Sequence, residues 1–337
     1  MDAPEKELSR IIKCNNRPTP KNLIKSVLLF RRPNRKIAFW PNAMAINALH
    51  DLNTDSKVIK KQIILWQKRN FEISQYDDIL MAYYLISKTD LLSDSQSKSI
   101  INSVMSSIRE YDQNVIPYRK SNKDLAFIDL LGMTPQFLIH QGVKEKNEKL
   151  IGWGIMQFDS FVENAMDQKT KLPYHAYNIQ TKEKVGIVGW GRALGWIMTG
   201  LAYSITELDR THSKQKAHLL DLYESLLAAA IKYQRKDGGF SWRLPDVDGA
   251  LDTSATGMIL QSMLELKNES KLVDKNIKTA KQMLDCLDSN YQNGKVLNCS
   301  AECGGIGVYP QKYGSYAWSV APYVICKKLS ETIPEMK

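Results

Sequence analysis

Four clusters of polar residues stand where chemistry could be done. Asp129, in LAFIDLLGMTPQFL, lies among Leu125, Phe127, Ile128, Leu130, Leu131 and Met133, so no helical register takes it far from apolar neighbours. Desolvation there favours the neutral acid and raises its pKa, which suits a general acid working near neutral pH. An Asp that caps a turn or pairs with a buried Arg would have the same surroundings. Asp77 and Asp78, in QYDDILMAYYL, are adjacent carboxylates before an apolar run. That is the pattern of a helix N-terminal cap as much as of a catalytic pair. His175 sits between aromatics in YHAYN, residues 174–178. Such a segment suits a sugar ring, whose C–H face stacks on aromatics while its hydroxyls need polar partners, although a lone histidine is commonly structural. Finally, GWGRALGW (189–196) places Arg192 between Trp190 and Trp196 among three glycines. An Arg offers a forked, permanently charged donor set matched to a carboxylate, and the glycines let backbone come close to something bulky.

Other chemistries find no support. Cys299 and Cys303 form one C-x3-C without a second pair or a nearby His, half of a zinc site, so no metal is expected. Neither a phosphate loop of the G-x-x-x-x-G-K-[ST] form nor a G-x-S-x-G nucleophile elbow is present.

The elements that must hold these residues are helical. Apolar stripes near a period of 3.6 run over 44–52, 57–66, 79–91, 98–108, 125–139, 193–208, 217–231, 255–266 and 273–287. Alternating strand patterns bounded by tight turns are nearly absent. The expected fold is all-α, about twelve helices in one domain, and a ring of helical hairpins buries so many stripes better than a four-helix bundle does. With 337 residues, 43% hydrophobic and 24% charged, the chain can bury a sizeable core, which excludes disorder. No run of about 18 apolar residues appears, and no apolar segment with a small-residue cleavage site opens the sequence. Five sparse cysteines fit a reducing compartment, so the expected location is the cytoplasm. The net charge of +10 is concentrated between residues 1 and 36, where ten basic side chains face three acidic ones. Without a nucleic-acid motif or aromatic interleaving, this reads as a solvated basic helical segment over 1–40, packed on a barrel of 41–337, with neither nucleic acid nor membrane as partner.

In order along the chain, AFIDLLGMTPQFL, LPYHAYN, GWGRALGW, DGGFSWRLPDVDGALDTSATGM and GGIGVYPQKYGSYAW resemble the successive motifs of glycoside hydrolase families 88 and 105, the unsaturated glucuronyl and rhamnogalacturonyl hydrolases. The W-G-R-A-x-G-W form looks more like family 105. The resemblance implies an (α/α)6 barrel and a hydrolase that needs no metal or cofactor. Its substrate would be an oligosaccharide whose non-reducing uronic acid carries a C4=C5 double bond. These enzymes hydrate that vinyl ether: an Asp protonates C4, water adds at C5, and the hemiketal opens to release the next sugar. On the motif match Asp129 is that acid and base, and Asp77 is the second carboxylate, with Asp78 the fallback if the register slips by one. His175, Trp190, Arg192 and Trp196 fall at substrate-contacting positions, and Trp40 is the candidate for the aromatic platform. Two positions depart from the pattern, Phe127 where Trp is frequent and Asn178 where Asp is frequent. The alternatives are a family 88 type enzyme on glycosaminoglycan-like disaccharides and a non-catalytic barrel that binds a uronate glycan. A sugar epimerase on a similar barrel would bring several His bases, whereas only His175 of five histidines falls in a motif.

Overall fold

The computed structural model describes residues 3–17, 37–52 and 57–336. Thirteen α-helices occur among them, and six are buried on nearly every side: α2 (Trp40–Asp51), α4 (Ile79–Lys88), α6 (Pro135–Glu145), α8 (Gly191–Glu207), α10 (Thr253–Glu265) and α13 (Ala317–Ser330). Each touches the next and α13 returns to α2, so the six close a ring. Outside it lie α1 (Ala3–Asn15), α3 (Lys57–Gln67), α5 (Asp94–Ile108), α7 (Glu148–Ala165), α9 (Ser213–Ile231) and α12 (Ile277–Ser289), with the short α11 (Lys271–Lys275) leading into α12. These outer helices bury one stripe each, as Ile100, Val104 and Ile108 show on α5, because their other face meets water. The ring is therefore an (α/α)6 barrel, its core running continuously from Leu8 to Met336. α1 packs on α2 and α13 through Leu8 and Ile12. Most of the basic stretch, residues 18–36, lies outside the described residues.

The stripe over 125–139 is not one helix. Leu125–Phe127 is β1, Ile128–Gly132 is a 3-10 turn, and α6 begins only at Pro135, where a proline suits the first helical turn. β1 pairs with β2 (Tyr174–Asn178), which pairs with β3 (Lys184–Val188), forming an antiparallel sheet at one mouth of the ring. The segment holding His175 is thus a strand, its ladder fixing which face the imidazole takes. Further down the chain, β4 (Tyr291–Gln292) pairs with β5 (Lys295–Val296), and β6 (Cys299–Ser300) with β7 (Tyr313–Gly314).

Residues at or just before the starts of the inner helices meet at that mouth, among them Trp40, Asp129, Trp190 and Arg192. Residues near the helix ends meet at the opposite end, where Tyr203 takes hydrogen bonds from Asn47 and Gln261, and Glu207 joins Tyr83 to His140. Among the described residues no helix is long and apolar enough to cross a membrane.

Candidate active site

The adjacent carboxylates of residues 77 and 78 part company. A 3-10 turn, Tyr76–Asp78, precedes α4, and Asp78 folds back to accept the backbone N–H groups of Ser74 (2.8 Å) and Gln75 (3.1 Å), so it caps the turn. Asp77 points away from that cap and accepts Nη1 of Arg119 at 2.7 Å. Asp129, on the 3-10 turn after β1, is buried and lies 3.1 Å from Nε2 of His175 through Oδ2. Nδ1 of His175 is 2.7 Å from the hydroxyl of Tyr309. The turn is held down by α8: a Cβ on Gly132 would come within 2.6 Å of Trp196.

Asp129, His175, Trp40 and Trp190 share the wall of a cavity of about 200 Å³. Trp40 meets Trp196 edge-on at 5.5 Å and Trp318 at 4.8 Å, so the floor is indole. A second cavity of about 240 Å³ contains Asp77 and Asp78, and Arg119 and Glu302 line both. The Arg119 guanidinium stacks 4.0 Å over Tyr118. Burial works against its charge, but Tyr118, Asp77 and Asp129 outweigh that and raise its pKa.

Arg192 also lines the Asp129 cavity, and three of its five N–H donors go to the chain itself. Nη1 donates to the carbonyl and hydroxyl of Ser300 (2.9 and 2.8 Å) and Nη2 to the carbonyl of Ala301 (2.9 Å), in a setting only 2% exposed. Arg192 thus anchors β6 and the following Ala301 from a place on the wall of the Asp129 cavity. The glycines beside it serve packing too. Gly191 and Gly195 give α8 its close approach to α10, since a Cβ at either would lie 2.7 Å from Ala255 or Met258.

The family model for Glycosyl Hydrolase Family 88 matches residues 49–325, most of the chain. The protein belongs to glycosyl hydrolase family 88. It is therefore a glycosidase. Solved structures agree with the fold. A possible family 105 member from Klebsiella pneumoniae is 17% identical with a TM-score of 0.78, covering 96% of this chain and 92% of that one. A family 105 glycoside hydrolase of C. acetobutylicum is 19% identical with a TM-score of 0.74, covering 94% and 100%. The unsaturated glucuronyl hydrolase of Bacillus sp. GL1, responsible for degradation of glycosaminoglycan, is 15% identical with a TM-score of 0.68, covering 99% and 95%. No curated protein matches by sequence.

Both departures from the family pattern have local work in this family 88 enzyme. Phe127 stacks on Tyr118 at 4.8 Å and meets His175 edge-on at 5.0 Å. Asn178 accepts the N–H groups of Gln180 and Thr181, each at 2.9 Å, and so shapes the β2–β3 turn. Arg119 and Tyr118 were missed because they stand in a polar segment, and Glu302 and Tyr309 because the glycine-rich motif GGIGVYPQKYGSYAW, which holds Tyr309 and follows Glu302 closely, gives no sign that these two side chains turn toward the cavity and His175. Asp252 was missed as well, although DTSA before an apolar run signals an N-cap. Its carboxylate caps α10 through Ser254 and takes Ser300 Oγ at 2.6 Å.

Burial, and then the neighbouring Asp77, raises the Asp78 pKa from 3.8 to about 7. The folded state thus holds that proton more tightly than the unfolded chain. The resulting stability is complete below about pH 4 and disappears as pH rises through 7. Asp78→Asn keeps the two backbone hydrogen bonds and removes the titration. The difference in unfolding free energy between variant and wild type should therefore shift in the variant's favour from pH 4 to 8, by on the order of 3 kcal/mol. Urea titrations at several pH values check this, and a pH-independent difference would refute it.

Proposed function

We propose that this enzyme hydrolyses unsaturated uronyl oligosaccharides, with rhamnogalacturonyl-type disaccharides as the leading substrate class, by hydrating the C4=C5 bond of the terminal uronate. The observation that carries the reading is the Asp129 carboxyl, buried beside His175 in a tryptophan-lined cavity. Asp129 delivers its proton to C4, which leaves positive charge shared between C5 and the ring oxygen. The carboxylate so formed takes a proton from the water that adds at C5, and Asp129 is restored. The hemiketal at C5 then opens and the neighbouring sugar leaves, so the net change is addition of one water. Trp40 and Trp190 offer faces to the sugar ring's C–H groups. Asp77, fixed by Arg119, is the second carboxylate, and Arg119, paired with it at the junction of the two cavities, is a cation within reach of a uronate carboxylate.

The test is a panel of lyase-generated oligosaccharides, some with neutral and some with sulfated neighbouring sugars. Loss of the unsaturated-uronate absorbance with release of the neighbouring sugar is expected. A panel bound but left intact would mean a binding barrel, and a panel neither bound nor cleaved would remove the reading.

A further inference from the structure

We propose that Tyr309 is a positioning residue for the Asp129–His175 pair, setting through Nδ1 of the imidazole how readily the pair holds its proton. The inference rests on the reading of Asp129 as the acid and adds a residue to it. Tyr309 follows the glycine-rich turn at 304–307, and its hydroxyl lies 2.7 Å from His175 Nδ1 while Nε2 faces Asp129. The ring is braced by Trp190 at 5.7 Å and Trp242 at 6.1 Å. Gly186 on β3 leaves room for the contact, since a Cβ there would lie 2.8 Å from His175 Cβ and 3.0 Å from the Tyr309 hydroxyl.

His175 is 2% exposed, so each ring nitrogen needs a protein partner. With Asp129 ionised, Nε2–H donates to the carboxylate and Nδ1 accepts from the Tyr309 O–H. With Asp129 protonated, its O–H donates to Nε2, and Nδ1–H donates to the Tyr309 oxygen. A proton on the imidazole instead makes both nitrogens donors, and the same two oxygens accept. A phenol serves every state because it both donates and accepts, and burial keeps it protonated by pushing its pKa up to about 12. Other ionisable groups facing the pair are Tyr118, Arg119, Glu302, Cys303 and Arg192, and the substitution below alters none of them.

Tyr309→Phe keeps the ring and deletes the hydroxyl. The proton-bearing states then have a buried Nδ1–H with no acceptor, a costlier deficit than an unfilled lone pair. The pair should lose its proton at lower pH. With the unsaturated galacturonyl-rhamnose disaccharide, kcat should fall about tenfold, KM should stay within twofold, and the alkaline limb of the pH profile should move down by about half a unit to one unit. A wild-type kcat, an unmoved limb, or a loss confined to KM overturns the proposal. A readout independent of substrate is the nitrogen NMR of the His175 imidazole. In wild type its two nitrogens should show a hydrogen-bonded Nδ1 and should titrate together with Asp129, a coupling lost in Asp129→Asn. An Nδ1 without a hydrogen bond in wild type overturns the proposal even if Tyr309→Phe fails to fold. If no member of the oligosaccharide panel is hydrolysed, the functional reading fails, and the NMR result still decides the role of Tyr309.

Discussion

Asp129→Asn should reduce turnover by about 10²–10⁴-fold, the range that a positioned general acid contributes. The amide retains the size of the carboxyl and an oxygen that can face His175 Nε2, so the turn over Ile128–Gly132 and its packing under Trp196 are preserved. What is lost is the proton for C4 and the base that returns it from water. Substrate should therefore still bind, and the melting temperature should change little. Steady-state kinetics with a direct binding measurement check both halves. A sharply lowered melting temperature with wild-type turnover in the remaining folded protein would make Asp129 structural and end the mechanism. Asp77→Asn should also slow the reaction, for a different reason. It removes the charge that holds Arg119 at 2.7 Å, so a cation at the junction of two cavities is released. Its effect should vary from substrate to substrate more than that of Asp129→Asn, because it acts on how the sugar is held.

The barrel was legible because burial on a helix leaves a periodic record. Stripes such as 57–66 and 217–231 fall on α3 and α9 almost unchanged. The failure at 125–139 is equally physical. A continuous apolar run is compatible with a strand, a 3-10 turn and a helix in succession, since all three are buried, and pairing of β1 with β2 is a long-range event that no local period reports. Asp129 could be found from sequence because a carboxyl inside such a run is conspicuous. Arg119 could not, because a polar residue in a polar segment gives no sign of the partner it will meet, and Tyr309, although inside a glycine-rich motif, meets His175 across 134 residues, a pairing that no local pattern reports. Asp77 and Asp78 show the same limit at the scale of one bond. Adjacent carboxylates before a helix read alike, and only the capping geometry sends one to the backbone and the other to Arg119.

Arg192→Ala should cost stability first and binding second. Read from the sequence, a tryptophan-flanked Arg would hold a substrate carboxylate, and its loss would weaken acidic sugars alone by about 1.5–3 kcal/mol. The structure leads to a different result. Three donors from Nη1 and Nη2 go to Ser300 and Ala301, and Ser300 in turn donates to Asp252. Arg192 also lies 4.8 Å over Trp190 and 5.6 Å over Trp318, linking the starts of α8 and α13. Truncation would leave the Ser300 hydroxyl and two backbone carbonyls with fewer donors. Leaving buried polar groups unsatisfied typically costs about 1–3 kcal/mol, and a loss of at least that order in unfolding free energy is expected without any ligand present. Arg192→Lys keeps the charge but not the fork, so it should recover only part of that loss. Because Ser300 and Ala301 lead into the loop carrying Glu302 and Cys303, the cavity wall should loosen, and affinity should fall for acidic and carboxyl-reduced sugars alike. Urea denaturation paired with calorimetric titration of both sugars separates the two readings. A variant as stable as wild type that loses only the acidic sugar would return Arg192 to the role of carboxylate reader. A variant that unfolds more easily and binds both sugars poorly would make the anchoring of β6 its principal task.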